Sequence, residues 1–187
     1  MEDKRIKSAL EIAMEKVAKL ADLTPQEIRE QKEREYGPLG EVIASKYLSH
    51  VYKNADLAVE LKKYQGEEGE IVRKAFMSFL CRAIQLDEAD KSRRAIEGIQ
   101  ALDIDFDFEK VEGEFEEISS AFNREREKTY QKLEESQKAT LSGLGISGSA
   151  VRPNVKEKAD FQNELNQMRA PYDIRIDKLK DKMLHII

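Results

Sequence analysis

The residues best suited to chemistry in this chain are carboxylates set three positions apart. Glu67 and Glu70 form one such pair, and Asp87 and Asp90 a second. Residues three apart share one face of a helix. Two such pairs on neighbouring helices can therefore converge on a magnesium or manganese ion and hold it against a phosphate. The chemistry would be metal-assisted hydrolysis of a phosphoanhydride, and it requires all four carboxylates within a few ångströms of each other.

All-α nucleotide pyrophosphohydrolases use that plan, with E-x-x-E on one helix and E-x-x-D on the next. Two departures stand here. Glu67 and Glu70 sit at a helix start beside glycines, and Asp87 occupies the place of a glutamate. Three other strings invite a chemical reading. Asp87 to Asp90 spells D-E-A-D, the metal-binding strand of a helicase family. A helicase also needs a phosphate-cradling loop with a Gly-Lys pair, and the chain has no Gly-Lys pair. The letters read better as a helix start, with Asp87 as N-cap and Asp90 at N3, where acids oppose the helix dipole. Residues 103–114, DIDFDFEKVEGE, carry acids at the ligand positions of a calcium loop. Phe108, however, stands where the sharp turn needs glycine. The alternative is a capped connector, in which Asp107 caps a long helix and Phe106 and Val111 staple its entrance. Finally, SGLGISG at 142–148 contains G-x-G-x-x-G. A dinucleotide fingerprint requires a preceding strand, whereas a long charged helix precedes this one, so Gly143 reads as its C-cap.

Nucleophile and base are poorly supplied. His50 sits in a helix near Tyr47 and Val51, His185 lies near the end of the chain, and Cys81 falls in an apolar helix as a small buried hydrophobe. No cofactor follows from these residues unless the carboxylate pairs converge.

The elements that would position these groups are helices throughout. Charged residues make up 37% of the 187 and hydrophobic ones 40%, a balance typical of long helices with solvated faces. Ile6, Leu10, Ala13, Val17 and Leu20 recur at helical spacing. Thr24, Pro25 and Glu27 form a capping-box start, with Leu23 and Ile28 as its staple. YGPLG at 36–40 predicts a break, and a further helix then runs over 41–64 to the second break at QGEEG. Val72, Phe76, Phe79, Ala83 and Leu86 mark the next helix, and a shorter one follows over 87–102. A long helix from about Phe108 to Leu141 and a last one over 155–185, with Pro171 as its kink, have nearly equal lengths.

The expectation is an all-α protein. A compact helical domain over residues 1–102 precedes a long, coiled-coil-like antiparallel hairpin over 103–187, with its glycine-rich tip at 142–154. At that tip Leu144, Ile146, Val151 and Arg152 would be exposed to a partner. The opening IKSALEIAMEK, the DFDFE connector, the glycine turn and RPN together resemble a family of uncharacterised bacterial helical proteins. The resemblance implies an all-α fold and assigns no functional residue.

The net charge of −5 argues against general nucleic-acid binding. No stretch is long and apolar enough for a membrane span, no apolar signal core opens the chain, and one cysteine cannot make an internal disulfide, so nothing suggests an oxidising compartment. Together these predict a cytoplasmic protein without nucleic-acid or membrane partners. It would act as an adaptor or scaffold through an unknown protein partner or through homo-oligomerisation, with the metal-dependent phosphohydrolase as the competing class.

Overall fold

A computed structural model describes residues 24–102, 104, 106–146, 148, 153–154 and 159–186, together with Ser8 and Glu11. Among them are six helices and no strand: α1 Pro25–Leu48, α2 Asn54–Leu61, α3 Gly66–Ala83, α4 Ala89–Gln100, α5 Phe108–Gly143 and α6 Ala159–Leu184. The protein is all-helical. The apolar stripe from Ile6 to Leu20 lies outside the described residues, apart from one feature near its start. Ser8 and Glu11 bond reciprocally, with the Ser8 N–H donating to the Glu11 carboxylate at 2.7 Å and the Glu11 N–H to Ser8 Oγ at 3.2 Å. That is a capping box.

The caps of α1 and α5 follow the sequence. Thr24 closes a full box with Glu27 and Pro25 stands at N1, while Asp107 accepts from the Lys110 N–H at 3.1 Å. The breaks do not all follow it. α1 continues straight through Gly37, Pro38 and Gly40, where YGPLG predicted an end. Gly40 is there for a neighbour: a Cβ on it would lie 2.3 Å from the Val72 carbonyl oxygen and 2.9 Å from the Phe76 nitrogen. The glycine lets α1 and α3 touch backbone to backbone. Lys32 pairs with Glu67 near one end of this contact and Arg82 bonds Glu41 at 2.6 Å near the other, so the two helices run parallel.

The real break comes at residues 49–53, inside the predicted 41–64 helix, with His50 at φ 60°. A residue from α4 holds it open. Arg94 donates through Nε to the Tyr47 carbonyl at 2.7 Å and through an Nη to the Tyr52 carbonyl at 2.8 Å. Its guanidinium also lies 4.3 Å from the centre of the Tyr47 ring. Tyr47 is fully buried, and its hydroxyl donates to Asn54 Oδ1 at 2.9 Å, tying the turn to the start of α2.

α4 starts at Ala89, one residue later than a cap at Asp87 would set it, and its N-cap position is Glu88. Asp87 turns instead towards Arg169 of α6. The turn between α3 and α4 is closed by Ser92, whose hydroxyl bonds both the N–H and the carbonyl of Gln85 at 2.8 Å.

One cluster of buried side chains draws on all six helices, including Ile43, Leu57, Phe76, Ile96, Phe115 and Ile176. It runs across residue 102 without interruption. α5, about 54 Å long at 1.5 Å per residue, contributes buried residues only from Phe108 to Phe122. Contacts between α5 and α6 join Glu114 to Lys182, Glu117 to Arg175, Glu125 to Tyr172 and Tyr130 to Phe161. Residue numbers rise on one helix as they fall on the other. α6 carries Pro171 within it.

Candidate functional site

The four carboxylates of the metal reading are not brought together. Glu67 and Glu70 line a groove of about 660 Å³ between α1 and α3, with Arg29, Glu33, Gly37 and Lys74. Asp87 and Asp90 line a separate depression with Lys91, Asn123 and Arg126. Cations already occupy three of the four. Lys32 bonds Glu67, which holds that carboxyl below its usual range. Arg169 bonds Asp87, and Arg93 bonds Asp90 at 2.7 Å. Among the described residues no three His, Cys, Asp or Glu side chains are grouped to hold a metal ion. The geometry that phosphoanhydride hydrolysis would need is absent from these positions. The D-E-A-D string thus belongs to a turn and an inter-helix ion pair rather than to a strand. At the calcium-loop stretch, Asp103 and Asp105 lie outside the described residues, while Phe108 is buried as the first residue of α5.

Cys81 is buried, and desolvation pushes its thiol up to about 12, so it carries no thiolate at neutral pH. His50 is exposed in its left-handed turn, and His185 Nδ1 lies 2.6 Å from the Asp181 carbonyl at the end of α6. His50 lines a depression with Asp90 and Glu97, and among the described residues neither imidazole is hydrogen-bonded to a carboxylate or hydroxyl.

The end of α5 is built more definitely than its glycine content suggested. Gly143 is the last helical residue, and the left-handed residue is Gly145, at φ 79°. The Ile146 N–H donates to the Leu141 carbonyl at 2.9 Å, and the Gly145 N–H to the Ser142 carbonyl at 3.0 Å. These two bonds make a Schellman motif. It ties the Ile146 backbone to that of Leu141 and leaves the Leu144 side chain exposed. Leu144 is 72% and Ile146 51% exposed, far more than the half-buried Leu141. A helix precedes the G-x-G-x-x-G string, so the strand a nucleotide loop requires is missing. Val151 and Arg152 lie outside the described residues.

Behind this turn the arm is polar. From Arg124 to Thr140, the outward positions of α5 are Arg124, Glu125, Glu127, Lys128, Gln131, Lys132, Glu135, Ser136, Lys138, Ala139 and Thr140. Half-buried Tyr130, Leu133, Gln137 and Leu141 form a thin inner seam. The sequence reading missed a second exposed apolar face, formed by Ile28, Leu39 and Val42 on α1. It was legible as i, i+11, i+14, but only once α1 was taken as continuous through Pro38.

Fold and surface together define an all-helical protein with a long helix, α5, whose second half is largely charged and exposed, and without a group of three potential metal ligands among its described residues. No helix there is long and apolar enough to cross a membrane. The chain belongs to a family of unknown function (DUF6657), which matches residues 58–184. The DFDFE connector and RPN fall inside the matched span, and IKSALEIAMEK precedes it. No curated protein and no solved structure matches the chain.

Proposed function

We propose that the protein is a non-enzymatic adaptor or scaffold whose α5–α6 arm acts as an antiparallel hairpin and offers its end to a protein partner. The observation that carries this reading is the Schellman turn, which fixes two exposed large apolar side chains, Leu144 and Ile146, at the end of the charged second half of α5. An apolar pair held by backbone bonds loses little entropy on docking, and burying each side chain yields roughly 1.5–3 kcal/mol. The falling-against-rising contacts of α5 and α6 support the hairpin. The polar flanks favour docking at the tip over side-by-side association of two arms, because Arg, Lys and Glu faces are costly to desolvate.

A photo-crosslinking residue placed at Leu144 tests the reading inside cells, with Val59, 64% exposed on α2, as the control position. The expected result is a discrete protein adduct at 144 that is absent at 59. It should disappear when Ile146→Asp is added. Equal adduct patterns at the two positions would refute the tip as a docking element, and adducts only to a second copy would assign the tip to self-association.

A further inference from the structure

α6 is held in two different ways along its length, and Pro171 divides them. After Pro171, Ile176, Leu179 and Met183 are buried in the main cluster. Arg175 and Lys182 also bond Glu117 and Glu114 of α5, at 2.9 and 2.7 Å. Before Pro171 the hold is thinner. Leu165 and Met168 lie half-buried at the edge of that cluster. Phe161 is buried edge-on to Tyr130 of α5, with ring centres 6.0 Å apart. A cavity of about 440 Å³, with Tyr130, Phe161, Gln162 and Leu165 in its wall, loosens the packing there. Pro171 has no N–H, so the Gln167 carbonyl lacks its i+4 donor and the helix is weakened where the two halves meet.

One carboxylate from outside the pair of helices reaches this boundary. Asp87, in the turn between α3 and α4, pairs with Arg169, and Arg126 of α5 lies 3.9 Å from its other oxygen. Arg169 also holds Asp173, beyond Pro171, at 3.0 Å. Arg126 stands one turn after Phe122, the last buried residue of α5. Asp87 thus ties α5 and α6 together where α5 leaves the core. The group stays open to water, with Asp87 46%, Arg126 43% and Arg169 31% exposed.

We propose that the Asp87–Arg169 pair is a latch and Pro171 a hinge. When the pair opens, residues 161–170 swing away from α5 while the rest of α6 stays in the core. The motion bares Tyr130, Phe161 and Leu165, an apolar surface that the closed arrangement covers. Exposed ion pairs are weak and screened by salt, so a modest change in ionic conditions moves the latch without unfolding the core. The device lies before Pro171 and does not depend on Leu144 and Ile146 being a docking element.

Hydrogen exchange read by mass spectrometry on the full chain tests the latch and the hinge separately. At low salt, the amides of 161–170 should exchange roughly fivefold faster or more in Asp87→Asn than in the parent, while 111–122 and 174–183 keep the parent's rates. Sodium chloride at about 0.5 M should bring the parent to the variant's rate by screening the pair, and Asp87→Glu should stay near the parent. Pro171→Ala restores the missing donor and should remove at least half of the excess caused by Asp87→Asn. Equal rates for parent and Asp87→Asn across 161–170 would overturn the latch. So would protection lost evenly through α5 and α6, which would make Asp87 a contributor to general stability. An excess unchanged by Pro171→Ala would overturn the hinge.

Discussion

Replacing Arg94 tests how the first turn of the fold is held. The side chain makes three interactions at once: a bond of 2.7 Å to the Tyr47 carbonyl, one of 2.8 Å to the Tyr52 carbonyl, and a stack 4.3 Å over the Tyr47 ring. A hydrogen bond from a charged donor is worth about 1.5–3 kcal/mol, and a partly desolvated cation–π contact about 0.5–2 kcal/mol. Because the contacts share one side chain and are not additive, Arg94→Ala should cost on the order of 3–5 kcal/mol. In a chain of this size that lowers Tm by roughly 10 °C. Arg94→Lys keeps the charge, but its point-like ammonium cannot span two carbonyls as the guanidinium fork does. It should recover about half of the loss. The assay is urea unfolding followed by circular dichroism, with thermal melts as a second probe. If Arg94→Ala lies within about 1 kcal/mol of the parent, then the break at residues 49–53 is held by the local chain and the cross-chain account is wrong. If Lys restores full stability, the fork geometry is irrelevant and only charge matters.

Two glycines of one helix should respond in opposite directions. Gly40→Ala drives a Cβ into the Val72 backbone and should cost about 1–3 kcal/mol or more by overpacking, whereas Gly37→Ala meets nothing within 4 Å and should gain about 0.5–1 kcal/mol; urea midpoints of the pair decide it. Gly145→Ala strains a left-handed residue and should fray the end of α5, seen as faster amide exchange at Gly145 and Ile146, the two Schellman donors, with global stability changed little. The Cys81 thiol should resist Ellman's reagent at pH 8 in the native protein and react at once in denaturant, because burial holds it protonated up to about 12; fast native labelling would refute its burial. Acid should destabilise the fold. Glu67 and Glu116 are held below the ordinary carboxylate value of about 4.5, first by hydrogen bonds from Lys32 and Arg93, so their contribution is present above about pH 4.5 and disappears as pH falls through the lowered values. Glu67→Gln with Glu116→Gln should flatten that part of the pH–stability curve.

The legible parts of this fold are those whose cause is local. Thr24, Pro25 and Glu27 carry a helix start within four residues, and Asp107 does so within four more, so both were readable without knowing what they pack against. The misread parts have distant causes. Gly37, Pro38 and Gly40 look like a break because glycine and proline weaken an isolated helix, yet Gly40 is there for the backbone of residue 72. Conversely, nothing in the stretch around His50 announces a break, because the donor that holds it is Arg94, more than forty residues away in sequence. Asp87 obeyed the same rule. As an acid before a helix it resembles a cap, but a cation on α6 reaches it, and the helix starts two residues later.

The same distinction separates the two functional readings. A four-carboxylate site depends on long-range placement, and sequence spacing alone could neither assemble it nor exclude it. What the structure adds for these four positions is the pairing of Glu67 with Lys32 and of Asp87 with Arg169, in separate depressions. The arm's end depends on a local motif, Leu141 to Ile146, which closes on itself by two backbone bonds whatever the rest of the chain does. A surface built locally and presented at the end of a charged helix can engage a partner without moving the core, since the buried residues of α5 stop at Phe122. Substitutions at Leu144 and Ile146 should accordingly change binding and leave the unfolding midpoint where it was. Substitutions at Phe115 or Phe122 should do the reverse, each costing about 3–5 kcal/mol on truncation to alanine.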